Sequence, residues 1–127
     1  MADTPLAKKL LIKPNYSVAI LNAPDGYGDL LGDLPEGAKA STSAEGLHDV
    51  VQVFVYSMAD LSERFDAAQK AVKKGGLLWI TYPKKTGKIK TDINRDVGNA
   101  YLSTLGWEGV AMIAIDDTWS AMRFKPK

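Results

Sequence analysis

The residues able to do chemistry fall at the ends of this chain's apolar runs. Lys84, Lys85 and Lys88 lie close enough together to hold an anion. Asp92, Asp116 and Asp117 are carboxylates that can accept a proton. Tyr27, Tyr82 and Trp119 present flat faces on which a planar ligand can stack, with Tyr56 and the Ser57 hydroxyl nearby in sequence. Asn22, Pro24, Gly26 and Gly28 form a tight loop that lets backbone approach a ligand. Each also has a structural reading. The lysines suit a solvated loop, Asp116 and Asp117 a tight turn, Asp92 a helix cap, and Gly26 and Gly28 turn geometry alone. No residue is singled out as catalytic, and no metal set is expected.

Composition removes several classes of chemistry. The 127 residues include no cysteine, which excludes disulfides, thiolate nucleophiles and Cys-ligated zinc. His48 is the only histidine, so neither a histidine-rich metal site nor a two-histidine relay can be built. A Ser-His hydrolase centred on the carboxyl ends of the strands is not expected, because His48 precedes its strand and no other histidine can act as the base. No Walker lysine follows the glycine loop. The net charge of +1 predicts no bulk attraction to nucleic acid or to an acidic membrane. No apolar run approaches the roughly 20 residues that cross a bilayer, and residues 1–11 lack a signal peptide's core. A soluble cytoplasmic protein of one domain, residues 1–127, is the expectation.

The elements that must position these groups are organised around residues 47–82. There an apolar β-branched run, an amphipathic helix and a second apolar run follow in order, the shape of two buried parallel strands joined by a helix. Ser57 and Asp60 form a capping-box-like pair. Leu61, Phe65, Ala68 and Val72 take one face of the helix; Glu63, Arg64, Gln69 and Lys73 take the other. Lys73 and Lys74 suit its last turn and Gly75 its left-handed cap. Upstream, Thr4 and Pro5 start a short helix, Lys13-Pro14-Asn15-Tyr16 is a turn, and residues 18–21 form a first strand. At most two helical turns follow, anchored by Leu30, Leu31 and Leu34, and then a short edge strand at 38–41. Downstream, Thr91 or Asp92 caps a last helix carrying Ile93, Val97, Tyr101 and Leu105. Strands at 110–115 and 119–124 close the chain as a hairpin. The fold class is α/β: a three-layer Rossmann-like, mostly parallel sheet of five or six strands with a C-terminal antiparallel hairpin. In such sheets ligands sit beyond the carboxyl ends of the parallel strands, which is where the candidate residues collect.

HDVVQVFVYS (48–57) and AVKKGGLLWITYPK (71–84) together resemble the fourth strand, following helix and fifth strand of class I S-adenosylmethionine (SAM)-dependent methyltransferases. GWEGVAMIAIDDTWSAMRFKP (106–126) is similar to their closing hairpin. The resemblance covers about the C-terminal two-thirds of the chain. Over nearly its full length the chain also resembles a family of small bacterial proteins of unknown function, through KKLLIKP, LNAPDGY, LPEG, LWITYPKK, Thr91-Asp92 and DDTWSAMRF. The methyltransferase likeness implies a cofactor loop after the first strand, with an acidic residue and three alternating glycines. On that pattern Asn22 stands at the acidic position, Pro24 at the first glycine, Gly26 at the second and Gly28 at the third.

The chain departs from the family in two places. Pro24 has a fixed φ and no N–H. The segment holding the ribose-gripping acid and the adenine wall is shortened to residues 38–47, whose one carboxylate, Glu45, reads as a solvated loop acid. Tyr56-Ser57-Met58 also differs from the Asn-Pro-Pro-Tyr signature of amino-directed nucleic-acid methylases. The expectation is therefore a non-catalytic binding or interaction module on a degenerate methyltransferase-like frame, without a cofactor. A protein partner or second copy would pair with the edge strand near Ala38. The alternative is a small SAM-dependent methyltransferase-like enzyme acting on a small molecule. Anion or nucleotide binding at Lys84 and Lys85 is a third reading.

Overall fold

The computed structural model describes residues 6–43, 45–84 and 89–127. In chain order the elements are α1 (Leu6–Lys9), β1 (Ser17–Leu21), α2 (Tyr27–Leu31), β2 (Lys39–Ser41), β3 (His48–Phe54), α3 (Met58–Ala71), β4 (Val72–Pro83), α4 (Arg95–Thr104), β5 (Trp107–Ala114) and β6 (Trp119–Pro126). The six strands form one sheet in the order β2-β1-β3-β4-β6-β5. β2, β1, β3 and β4 run parallel to one another, and β6 pairs antiparallel with both β4 and β5. The winding reverses at β1, which has β2 on one side and β3 on the other.

β3 shows why the sheet is central. His48, Val50, Val51, Gln52, Val53 and Phe54 are all buried, as both faces of a parallel strand must be. On one face Val51 and Val53 pack with Leu61, Phe65 and Ala68 of α3 and with Leu102 of α4. On the other, Val50 and Phe54 pack with Leu6 and Leu10, with Tyr27 and Leu31 of α2, and with Trp79 and Trp119. The Trp79 indole donates to the Leu10 carbonyl at 3.1 Å, tying the N-terminal segment to the sheet.

Several local expectations hold. Ser57 caps α3 by accepting from the Asp60 amide, and Asp60 reaches back to the Tyr56 amide at 2.9 Å. Asn15 adopts the left-handed φ of 66° in its turn. Asp116 closes the hairpin turn, its Oδ1 accepting from the Thr118 and Trp119 amides at 2.8 Å each. The N-terminal cap at Thr4 and Pro5 lies outside the described residues.

Other expectations are corrected. α3 ends at Ala71, so Val72, Lys73 and Lys74 open β4 instead of finishing the helix. Between His48↔Val72 and Val50↔Leu77 the β3–β4 register shifts, and the excess residues bulge out around Gly75 at φ 80°. Lys73 leaves the helix axis to pair with Asp49 at 2.8 Å. α4 is capped by Asn94, not Thr91 or Asp92, and it buries Gly98 and Leu102 while Val97 and Leu105 are exposed. In α2, Leu30 is exposed and Tyr27 takes the buried position.

Candidate functional site

The carboxyl edge of the sheet is assembled by a few directed contacts. Asn22 leaves β1 at φ 60°, a left-handed conformation that asparagine tolerates. Its Nδ2 donates to the Phe54 carbonyl at 2.9 Å and fastens the end of β1 to the end of β3. Tyr27 is buried under this loop. Its hydroxyl donates to Gln52 Oε1 at 2.7 Å, and Gln52 Nε2 donates to Thr81 Oγ1 at 2.9 Å. A fully buried amide thus links α2, β3 and β4, and its hydrogen bonds offset the cost of removing it from water. Burial raises the Tyr27 phenol above its ordinary pKa, which keeps it a neutral donor.

The remaining candidates sort by what their side chains already do. Tyr27 meets Phe54 edge to face at 4.7 Å, and Trp119 meets Phe54 and Tyr56 edge to face at 5.1 Å each. Tyr82 is buried on the opposite face with its hydroxyl against the Met112 sulfur. These three rings are core contacts, while Tyr56 keeps an exposed side. Asp92 Oδ1 accepts from the Met58 amide at 2.8 Å, and Thr91 Oγ1 donates to the Tyr56 carbonyl at 2.7 Å. Together they clamp the 89–94 segment onto the start of α3. Asp116 holds its own turn and Asp117 is exposed. The Lys84 amide donates to the Thr118 carbonyl at 2.7 Å. Lys85 and Lys88 lie outside the described residues. Pro24 is half-buried, while Gly26 and Gly28 are exposed with no atom within 4 Å of the position a Cβ would occupy.

His48 lies at the amino edge, as its place before the strand requires. Its Nε2 is 2.9 Å from the Glu45 carbonyl, which can only accept. In the neutral ring Nδ1 is then the acceptor for the Ser17 hydroxyl at 2.7 Å.

The sequence reading missed a groove of roughly 400 Å³ lined by Leu21, Asn22, Thr42, Val53, Glu63, Arg64 and Ala67. It opens where β1 ends, between the exit of β2 and the outward flank of α3. Its size is within the roughly 300–1,000 Å³ of small-molecule sites. Leu21, Val53 and Ala67 make an apolar floor; Asn22, Thr42 and Glu63 supply polar groups around it. Arg64 is engaged with Asp60 one helical turn earlier. Glu63 and Arg64 read in the sequence only as a solvated helix face. The available signal was topological: a switch at β1, with no helix between β2 and β3, exposes the flank of α3 to that corner.

The fold is shared with solved methyltransferase structures. The complex of DhpI with SAH superposes with a TM-score of 0.63 at 13% identity, over 96% of this chain and 83% of that one. The DhpI-SAM-HEP complex gives 0.59 at 11% identity, over 96% and 85%. An rRNA methylase from Streptococcus thermophilus gives 0.58 at 10% identity, over 99% and 98%. No protein-family model matches the sequence, and no curated protein does. The likeness shows that the chain shares the Rossmann-like fold of these methyltransferases.

Two expectations are corrected here: the non-catalytic module and the absence of a cofactor. Both rested on the shortening of the segment 38–47 together with Pro24 at the first glycine position. Glu63, Arg64 and Ala67 of α3 line the groove at that corner together with Thr42 of the shortened segment. The chain's structural neighbours, moreover, include complexes with SAH and with SAM.

Proposed function

We propose that this chain is a small SAM-dependent methyltransferase-like enzyme acting on a small molecule, with residues 1–127 working as one domain in the bacterial cytoplasm. The observation carrying this reading is the groove at the β1 switch point, on a fold otherwise found in methyltransferases. The residues present suit the cofactor. Leu21 and Ala67 offer apolar surface for a purine. The Thr42 hydroxyl and the Glu63 carboxylate are the groups able to hold ribose hydroxyls, a role Glu45 does not need to fill. Asn22 lines the same corner.

Bound SAM supplies an electrophilic methyl group. The chain's own work is to orient the acceptor and exclude water. Tyr56, Ser57, Lys84, Asp92 and Asp117 are the exposed or half-exposed groups along the edge able to do this, beside a rim fixed by Asn22, Asp116 and Trp119. A small acceptor fits the net charge of +1 and the pairing of Arg64, the only basic residue lining the groove among the described residues. The test is calorimetric titration with SAM and SAH on the wild type and on Ala67→Phe, which fills the groove from an exposed helix position. Saturable binding to the wild type, with Tm rising as ligand increases, is expected. Loss of at least about tenfold in affinity is expected in the variant. Absence of heat and of any Tm shift at millimolar SAM and SAH sinks the reading.

A further inference from the structure

We propose a second ligand site, for a phosphate group, at the amino edge of the sheet, on the side away from the groove. β4 and β6 are paired only as far down as Leu78↔Phe124. Below that pair β4 veers toward α3 through the Gly75-Gly76 bulge, while β6 continues to Pro126 alongside Trp107 of β5. The strands diverge and leave a wedge of roughly 370 Å³. Its lining carries Lys73, Lys74, Arg123 and Lys125 and not one carboxylate.

Local acids neutralise only half of this cluster. Lys73 is paired with Asp49 and Lys125 with Glu108, the latter at 3.5 Å. Among the described residues Lys74 and Arg123 have no ion-pair partner. Arg123 Nε is buried and finds no acceptor among the described residues. An unpaired buried donor on a cation is costly, and an anion in the wedge would supply the missing acceptor. The planar guanidinium of Arg123 and the unpaired ammonium of Lys74, both lining the wedge, are the groups suited to a phosphate. Gly76 contributes to the shape. A Cβ there would meet the Asp49 and Lys73 carbonyls at 2.9 Å, so the bulge that opens the wedge needs glycine. This phosphate is carried either by a free small molecule or by a nucleic-acid backbone. The site is independent of the SAM reading, because it shares no lining residue with the groove.

The test follows the Arg123 Nε–H and backbone amide resonances while inorganic phosphate, and separately a short single-stranded RNA, are added at constant ionic strength. The proteins are wild type, Arg123→Gln and Lys74→Ala; Lys74 is exposed, so the second variant keeps its fold. Saturable shifts at Arg123 and residues 73–77 are expected in the wild type, with affinity weakened at least about tenfold in each variant and SAM binding unchanged. RNA binding much tighter than phosphate, and weakened steeply when the titration is repeated at higher salt, assigns the backbone as the source; equal affinity per phosphate assigns a small molecule. No saturable shift with either probe overturns the site, as does binding that survives both substitutions.

Discussion

The loop bordering the groove is held from beneath by the Tyr27–Gln52–Thr81 chain, and its strength can be measured. Tyr27→Phe keeps the ring against Phe54, 4.7 Å between centroids, and removes only the hydroxyl that donates to Gln52 at 2.7 Å. Gln52 Oε1 is then buried without a partner, at a cost of about 1–3 kcal/mol. Gln52→Leu leaves the Tyr27 and Thr81 hydroxyls unmatched and costs a similar amount. In the double variant the two losses overlap, because the Tyr27–Gln52 bond can be lost only once. The double variant should therefore be more stable than the sum of the singles predicts, by about 1–2 kcal/mol. A domain of this kind has about 5–15 kcal/mol of stability, so all three variants remain folded. Urea unfolding followed by circular dichroism reads each value, with an unchanged slope showing that the transition stays two-state. Additivity within about 0.3 kcal/mol refutes the reasoning, since it means the amide and the phenol do not depend on each other.

Two further outcomes concern the amino edge. The Asp49 carboxyl is held below its ordinary value of 3.8, first by its bond to Lys73 and then by the Ser17 amide. A depressed folded pKa gives stability that is present above the unfolded value and lost as pH falls through the folded one. Wild type should thus exceed Asp49→Asn by about 0.5–1 kcal/mol at neutral pH, with the gap closing as pH drops below about 4; urea melts across pH check this, and a gap that widens in acid contradicts it. Gly76→Ala should destabilise by about 1–3 kcal/mol, because two of the atoms its Cβ would strike at 2.9 Å are backbone carbonyl oxygens; a melt within error of wild type contradicts the bulge geometry.

Much of the frame was legible because local and global signals agree in it. Ser57 and Asp60 cap α3, Leu61, Phe65 and Ala68 are spaced to face the sheet, and the run of Val50, Val51, Val53 and Phe54 belongs to a strand buried on both sides. The failures arise where a distant partner outbids a local preference. Lys73, Lys74 and Gly75 have the composition of a helix end, yet Asp49 draws Lys73 into a strand. Thr91, Asp92 and Asn94 can all cap a helix; the start of α3 engages the first two, and only Asn94 is left for α4. Tyr27 reads as a ring in a glycine loop, and nothing near it in sequence announces that Gln52 waits as a buried acceptor. The groove is the same problem on a larger scale. Its floor and wall come from β1, β3 and α3, and the polar flank of a helix has one signature whether it faces water or a ligand.

Gly28 separates the two roles open to the glycine loop. It lies in α2 with no positive φ, and a Cβ on it would touch nothing within 4 Å. Gly28→Ala is therefore free of strain within the protein and gains up to about 1 kcal/mol in helix propensity. Gly26 is a poor probe by comparison, because its φ of 83° penalises any side chain regardless of ligand. If Gly28 only shaped a turn, the alanine variant would be as stable as wild type and bind SAM equally well. If its bare backbone gives a cofactor room to approach, as the third glycine of the methyltransferase pattern implies, stability holds or rises while SAM affinity falls by about tenfold or more. Thermal melts with and without SAM read both quantities on one sample. A variant whose melting temperature rises equally in the two conditions shows that the space above Gly28 belongs to solvent, and that any nucleoside is held by the α3 side of the groove alone.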